Sequence, residues 1–168
     1  MRAAGAAILL LCAGPAAAAV MVPASVEELA RRSDAVVRGR VIDAAARWSA
    51  DGRRIVTEVE VEVAAVWSGS APGRLRLTVP GGERDGVAQR MDGAPTFFPG
   101  EEVVLFLSRR GPSWRVSGLA LGKYRVEGAA ARPDLRGVAF APGRPPPGER
   151  LAGEMPLAEL ERRVRGAR

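Results

Sequence analysis

In the segment from residue 55 to residue 63, IVTEVEVEV, glutamate and valine alternate strictly from residue 58 onward, and Ile55 and Thr57 continue the valine side of the pattern. Successive side chains of a β-strand point to opposite faces of the sheet, so the pattern predicts a strand with one buried face and one solvent-facing side. The buried face would carry Ile55, Thr57, Val59, Val61 and Val63. Valine, glycine and proline are abundant elsewhere in the central chain, which favours strands joined by turns. The chain is therefore expected to be all-β.

Further strands are predicted on both sides of this segment. They cover residues 35–43, 75–79, 102–108 and 114–119, with residues 124–126 extending or following the last of these, and residues 138–140 as a short edge strand. Asp51-Gly52 is a tight-turn dipeptide, so the first two strands are expected to form a hairpin. At Ala64-Ala65 the alternation slips, and a bulge there would bend the strand as a small closed barrel requires.

Helices are predicted on either side of the barrel segment. Ser25 and Glu28 form a capping box for a short helix that ends near Arg32. Residues 156–164 have the apolar spacing of a second helix, and a proline-rich linker before it suggests loose attachment. The chain thus divides into a signal peptide (1–19), an amino-terminal segment with the short helix (20–34), the β-barrel (35–140), a Pro/Gly-rich linker (141–155) and a carboxy-terminal helix (156–168).

Residues 1–19 have the three parts of a secretory signal. Arg2 supplies the positive charge, residues 6–13 the apolar run, and residues 17–19 the alanines of a cleavage site. The apolar run is far shorter than the roughly 20 residues that span a bilayer, so no stable membrane anchor is expected after cleavage. Cys12 is an alternative, lipidated site, but Leu11 stands where a small residue is typical. The chain is predicted to be exported, to a periplasm or to the extracellular space.

The residue types that carry most hydrolytic chemistry are missing. The chain contains no histidine, and its single cysteine, Cys12, lies in the predicted signal. The exported form therefore has no disulfide, no histidine or cysteine zinc site, no cysteine nucleophile and no histidine base. These exclusions predict a protein that is not an enzyme, without catalytic residues, cofactor or metal.

Three other features resemble reactive or ligand-binding groups. Glu58, Glu60 and Glu62 share one strand face, where they would bind calcium, act as acid and base, or simply face solvent beside arginines. Residues 81–86, GGERDG, lack the lysine and hydroxyl of a phosphate-binding loop, which favours a turn. No serine is placed by the sequence beside Lys123, the only lysine, for a Ser–Lys dyad. In each case the structural interpretation is favoured.

The net charge is +6, and almost all of the positive charge is arginine. A basic surface attracts nucleic acid, anionic lipid or acidic polysaccharide by releasing counterions. The basic residues are scattered among Asp and Glu, however, and form no stripe interleaved with aromatic residues. A protein partner is therefore the favoured prediction, and electrostatic binding of an anionic polymer is the alternative.

Four aromatic residues stand beside predicted turns and are expected to be partly exposed: Trp48, Trp67, Phe97 and Phe98. Exposed aromatic residues near loops are frequent hot spots of protein interfaces. Aromatic side chains also plug the ends of barrels, and both interpretations stay open.

Three motifs follow one another in the order of a known module. A short helix leads into residues 33–41 (SDAVVRGRV), the long strand ends in residues 66–69 (VWSG), and a later strand begins with residues 100–105 (GEEVVL). This order, over about residues 26–126, resembles the netrin-like modules that include the amino-terminal domain of tissue inhibitors of metalloproteinases. The resemblance implies an OB-type barrel of five strands, here with a short amino-terminal helix and a carboxy-terminal helix.

The disulfide-linked cysteines of that family are all absent, including the amino-terminal cysteine whose amine and carbonyl engage the protease metal. The resemblance therefore concerns the fold, and no functional residue is carried over. Cleavage after Ala19 would still place Val20 and Met21 where the inhibitory terminus lies in that family. We expect an exported binding module with a protein partner, in the narrowest version a secreted protease. Val20, Met21 and the four aromatic residues are its candidate contacts.

Overall fold

The computed structural model of the chain describes residues 19–111, 113–135, 138–141 and 147–167. They form a mostly β structure with two helices, as the sequence predicts. The helices are α1 (Val26–Arg32) and α2 (Leu157–Gly166), and a 3-10 turn covers Leu119–Gly122. The strands are β1 (Ala19–Met21), β2 (Ala35–Trp48), β3 (Ile55–Gly69), β4 (Arg74–Pro80), β5 (Gly82–Arg84), β6 (Val87–Gln89), β7 (Glu102–Arg110), β8 (Ser113–Val116), β9 (Lys123–Glu127), β10 (Ala130–Pro133), β11 (Val138–Phe140) and β12 (Met155–Pro156).

The predicted signal peptide, including Cys12, lies outside the described residues except for Ala19. Within the described part of the chain, neither helix has the length and apolar character needed to cross a membrane. The residue that follows the predicted cleavage site, Val20, lies in β1, which pairs in parallel with β11. The amide of Ala141 donates to the Met21 carbonyl at 2.9 Å and extends this contact.

The long hairpin of β2 and β3 forms the centre of the structure. The two strands are antiparallel and joined by the predicted tight turn, and both are longer than predicted. Arg38 pairs with Ala65, whereas the next residue, Gly39, pairs with Val63. Ala64 is thus an extra residue in β3, which confirms the bulge that the break in alternation predicts.

The largest sheet has eight strands in the order β12-β10-β9-β7-β2-β3-β4-β8. Neighbouring strands are antiparallel except β4 and β8, which run parallel and share one register pair, Leu77 with Trp114. One edge of β7 pairs with β2. Its other edge is divided, since residues 103–105 pair with β9 and residues 107–110 pair with β8. β7 therefore joins three strands.

Two apolar cores lie on opposite sides of β7, whose residues 103–107 are all buried. Their side chains alternate between the two cores, as side chains along a strand must. The first, which we call the helix-side core, includes Val26, Leu29, Trp67, Val104, Phe106, Tyr124, Leu160 and Val164. The second, the strand-side core, includes Val37, Val59, Val61, Leu75, Leu77, Phe97, Val103, Leu105, Leu107 and Trp114.

The predicted helix α1 is confirmed, with the Ser25 hydroxyl accepting from the Glu28 amide at 2.9 Å. The expected loose attachment of α2 is wrong. Leu160 and Val164 are fully buried in the helix-side core, because the apolar face of an amphipathic helix is stable only when it packs against other apolar residues. Arg163 also pairs with Glu27 of α1 at 2.8 Å.

The described part of the predicted linker is likewise tied to the rest of the chain. Met155 of β12 is buried and pairs with Ala131 of β10, and the Ala152 amide donates to the Ala24 carbonyl at 3.0 Å. Pro156 precedes α2 as its N-cap and is not its first helical residue. The sequence did not predict β5, β6, β10 or β12, since each has only two to four residues and too little alternation to detect.

Truncating Leu160 tests whether α2 belongs to the folded unit. We expect Leu160→Ala to lower the free energy of unfolding by about 2–5 kcal/mol, because it leaves a cavity in the helix-side core. The exposed Arg162 on the same helix is the control, and Arg162→Gln should change stability by less than about 0.5 kcal/mol. Urea denaturation measures both, and equal small effects would mean that α2 is not part of the cooperative unit.

Candidate functional site

A groove with a volume of about 590 Å³ opens where the end of β4 meets the end of β8 and the start of β3. We call it the arginine groove and define it by six of its lining residues, Arg54, Ile55, Val79, Arg90, Arg115 and Val116. Ile55, Val79 and Val116 are buried and form its apolar part. Met91 also lines the groove and is 52% exposed. Apolar grooves of this size are typical of binding sites.

Three arginines line the groove, and no described Asp or Glu does. Many other arginines are neutralised by neighbours: Arg47, for example, lies 2.8 Å from Glu58. No ion pair joins Arg54, Arg90 or Arg115 to a described carboxylate. Unpaired positive charge is thus concentrated beside apolar surface, which is a feature of sites that bind acidic groups.

Arg54 is the one groove arginine whose charge is partly balanced at longer range. It contributes to lowering the pKa of Asp51 in the β2–β3 turn. The Ser49 hydroxyl hydrogen bond is the largest cause of that shift, and the Arg53 amide comes second. Arg90 and Arg115 are both exposed, so their charges are accessible to a ligand in the groove.

The side of the groove that carries Arg90 is held in place by hydrogen bonds to the Ile55 backbone. The Ile55 amide donates to Gln89 Oε1 at 2.6 Å, and the Gly81 amide donates to the Ile55 carbonyl at 2.9 Å. Gly81 has a φ of 95°, and a Cβ atom there would lie 2.8 Å from the Gln89 carbonyl oxygen. Only glycine permits this close approach. The GGERDG segment therefore supplies turn geometry, as predicted, and its first residue, Gly81, also lines the groove.

The predicted exposure of the four aromatic residues is confirmed for two of them. Trp48 is 41% exposed and Phe98 is 54% exposed. The indole of Trp48 donates to Asp85 Oδ2 at 2.9 Å, so the side chain lies against the β5–β6 turn. Phe98 lies instead beside β9, with its ring centroid 6.0 Å from the Arg125 guanidinium carbon.

The prediction of partial exposure is wrong for Trp67 and Phe97, which are 5% and 7% exposed. Trp67 belongs to the helix-side core and Phe97 to the strand-side core. Both sit beside turns, but each turn folds its aromatic ring inward to fill a core, as a barrel-end plug does. Met21, half-buried in β1, packs against the helix-side core. The six candidate contacts therefore do not form one surface.

The three strand-face glutamates behave as the structural interpretation predicts. Glu58 pairs with Arg47 at 2.8 Å, and Glu60 lies 3.3 Å from Arg74 and 3.4 Å from Arg76. Across the described residues, no group of three or more His, Cys, Asp or Glu side chains is arranged to hold a metal ion. Glu58 and Glu60 thus balance neighbouring arginines, and the exposed Glu62 faces solvent.

The only lysine forms a buried ion pair that the sequence did not predict. Lys123 Nζ donates to Glu101 Oε2 at 2.8 Å and to the Thr96 carbonyl, and it lies 4.5 Å from the Phe97 ring centroid. Burial lowers the pKa of Lys123, and the Glu101 carboxylate opposes that shift. None of the described hydrogen bonds of Lys123 involves a serine, so the arrangement gives no support to a Ser–Lys dyad. The pair anchors the loop that carries Phe98.

Replacing Lys123 tests this role. Lys123→Met should lower the free energy of unfolding by about 3 kcal/mol, since it leaves the buried Glu101 with Arg125 as its one ion-pair partner and the Phe98 amide as a hydrogen-bond donor. Adding Glu101→Gln to Lys123→Met should cost less than the sum of the two single changes. Additive costs in denaturant unfolding would show that the two side chains are not coupled.

The same variant has an expected pH signature. A lysine whose pKa is lower when folded binds fewer protons in the folded state, so its contribution to stability rises with pH. The rise should occur as pH approaches about 10.4, the value of an unfolded lysine. The stability difference between wild type and Lys123→Met should therefore grow in favour of wild type between neutral pH and pH of about 10; a constant difference would contradict the lowered pKa.

Comparisons of the chain with protein-family models, with curated proteins and with solved structures found no match.

Proposed function

We propose that this chain is an exported, non-enzymatic binding module that engages an acidic region of a protein partner at the arginine groove. One observation carries the proposal: three arginines without a described ion-pair partner surround an apolar groove that no described carboxylate lines. A partner with both acidic and apolar side chains would neutralise the arginines and cover the apolar surface at once.

We also propose that β2, β3, β4, β7 and β8 form an OB-like barrel of five strands, similar in architecture to netrin-like modules. Its support is a circuit of pairings, β2 with β3, β3 with β4, β4 with β8, β8 with β7, and β7 with β2. The bulge at Ala64 would supply the bend that closure needs. The link between β4 and β8 is a single residue pair, and the arginine groove opens beside it.

A binding role is favoured over catalysis by the chemistry of the groove. Its described lining offers hydroxyl and amide groups from Thr78 and Gln89 but no histidine, cysteine, lysine or carboxylate. General acid–base and nucleophilic mechanisms need such groups within hydrogen-bond reach of each other. Arginine side chains and apolar surface instead supply affinity and orientation for a ligand that is not transformed.

The runner-up is electrostatic binding of an anionic polymer. The net charge of +6 favours it. The exposed apolar side chain of Met91 in the groove does not, because a polyanion gains nothing by covering it. The two functions differ in salt dependence: a polymer releases many counterions and is lost steeply as salt rises, whereas apolar contact persists.

The inhibitor-like version of the proposal would use the amino terminus. If cleavage follows Ala19, the new amine belongs to Val20, whose backbone pairs with Ala139 of β11. A secreted protease is one partner that this terminus or the groove would contact. Adding one glycine before Val20 distinguishes binding by the terminus from binding by the groove. The added residue should abolish a contact made by the Val20 amine and leave groove binding unchanged.

Capture by the immobilised exported form, from the envelope and medium of its own cells, tests the proposal. The captured protein would then be titrated against wild type, an Arg90→Gln, Arg115→Gln double variant and the control Arg162→Gln. Arg162 is an exposed arginine on α2. Loss of two rim charges should weaken binding about tenfold, and Arg162→Gln should leave it unchanged.

Repeating the titration between about 50 and 200 mM salt distinguishes the two partners. Affinity that falls about a thousandfold or more over this range would favour the anionic polymer. Equal affinity of wild type and the double variant would mean that the arginine groove is not the binding site.

A further inference from the structure

The arginine groove lies where two strands of the sheet separate. β4 and β8 pair only at Leu77 and Trp114, and beyond that point no register pair joins them in the described chain. Residues 78–80 on one side and residues 115–116 on the other then line the groove. Each strand is paired along its opposite edge, β4 with β3 and β8 with β7. Two strand edges therefore face each other across the groove.

The register shows which backbone groups of β4 face the groove. The Gly81 amide donates to the Ile55 carbonyl, and the Val63 amide donates to the Gly73 carbonyl, at 2.9 and 2.8 Å. Hydrogen-bonded pairs alternate with non-bonded pairs along antiparallel strands. Thr78, which is opposite Glu58, therefore belongs to a non-bonded pair. Its backbone groups point away from β3, toward β8.

The same alternation applies to β8. The Ser117 amide donates to the Phe106 carbonyl at 2.8 Å. Val116, opposite Leu107, is therefore in a non-bonded pair, and its amide and carbonyl point away from β7. Beyond the Leu77–Trp114 bridge, the Thr78 carbonyl and both backbone groups of Val116 face the groove.

We propose that the acidic segment of the partner enters the arginine groove as an extended strand between β4 and β8. This inference rests on the proposed function and adds how the partner is held. Peptides often bind by adding a strand to an exposed sheet edge, with affinity from main-chain hydrogen bonds and specificity from alternate side chains. The side of the groove formed by β4 is about three residues long, which is roughly 10 Å at the rise of a strand. About four residues of the partner's segment would therefore lie in the groove.

The lining also predicts the pattern of the segment. Side chains of a strand alternate between two faces. One set would contact the apolar lining, including the exposed Met91, and the other would reach the exposed Arg90 and Arg115. The segment should therefore alternate apolar and acidic residues. Pro80 has no amide hydrogen, so it ends the hydrogen-bonding edge of β4 and limits how far an added strand can extend.

A second copy of this chain is not the occupant that the structure favours. The chain has its own alternating segment, residues 55–63, with three glutamates between apolar residues. That segment lies in β3, which is paired along both edges, with β2 and with β4. It would have to leave the sheet to enter another copy's groove. The occupant we propose is therefore a different protein.

Synthetic peptides test the inference without altering the protein. The probe is an acetylated and amidated hexapeptide of alternating valine and glutamate. Two further versions carry N-methyl groups, one on its valine amides only and the other on its glutamate amides only. Each keeps the charge and side chains of the probe but loses the hydrogen-bond donors along one edge of the peptide. A fourth peptide has the same composition with the three valines before the three glutamates. Titration is followed by hydrogen exchange at the Val116 amide.

We expect the alternating peptide to bind and to slow hydrogen exchange at Val116. Both N-methylated versions should bind about fivefold more weakly, since each loses one hydrogen bond, to the Thr78 carbonyl or to the Val116 carbonyl, and the rearranged peptide should also be weaker. Equal affinity of all four peptides, lost in the Arg90→Gln, Arg115→Gln double variant, would overturn strand insertion and leave the proposed function standing. A hexapeptide that does not bind at low salt, or that binds the double variant equally well, would overturn both.

Discussion

The structure depends on β7, whose residues 103–107 are buried on both faces and paired along both edges. Their side chains supply two cores in alternation, and their backbone joins β2, β9 and β8. A strand in this position is apolar throughout, because neither of its faces meets solvent. The helices are part of the fold for the same reason: Val104 and Phe106 would be exposed unless α1 and α2 covered them. One strand thus links the sheet to its helical layer.

The division of β7 between β9 and β8 also explains where the sheet opens. β8 has only four residues and is held mainly by β7, so it meets β4 at one residue pair and then diverges. The arginine groove occupies the resulting gap. Its positive charge is unbalanced because no described carboxylate lines it, while carboxylates such as Glu58 and Glu60 on β3 pair with arginines elsewhere. The proposed binding site therefore lies at an interruption of the sheet and not on an added loop.

Features with a local cause could be predicted from the sequence. The alternation in β3, the bulge at Ala64 and the cap at Ser25 each depend on residues that are close along the chain. Features that depend on residues far apart in the sequence could not be predicted. Lys123 and Glu101 are separated by 22 positions, and the groove combines residues from β3, β4, β6 and β8. Trp67 and Phe97 were expected at the surface because the sequence shows their turns but not the direction in which each ring points.

Amide chemical shifts of residues 20–168, mapped while the alternating valine–glutamate hexapeptide is titrated, would show directly whether the arginine groove binds it. If the arginine groove is the binding site, the largest changes will fall on Thr78, Val79, Arg115 and Val116, with smaller changes along β7, which pairs with β8. Changes centred instead on the cleft beside Phe98, where Arg40 and Arg125 lie, or on β1 would contradict it.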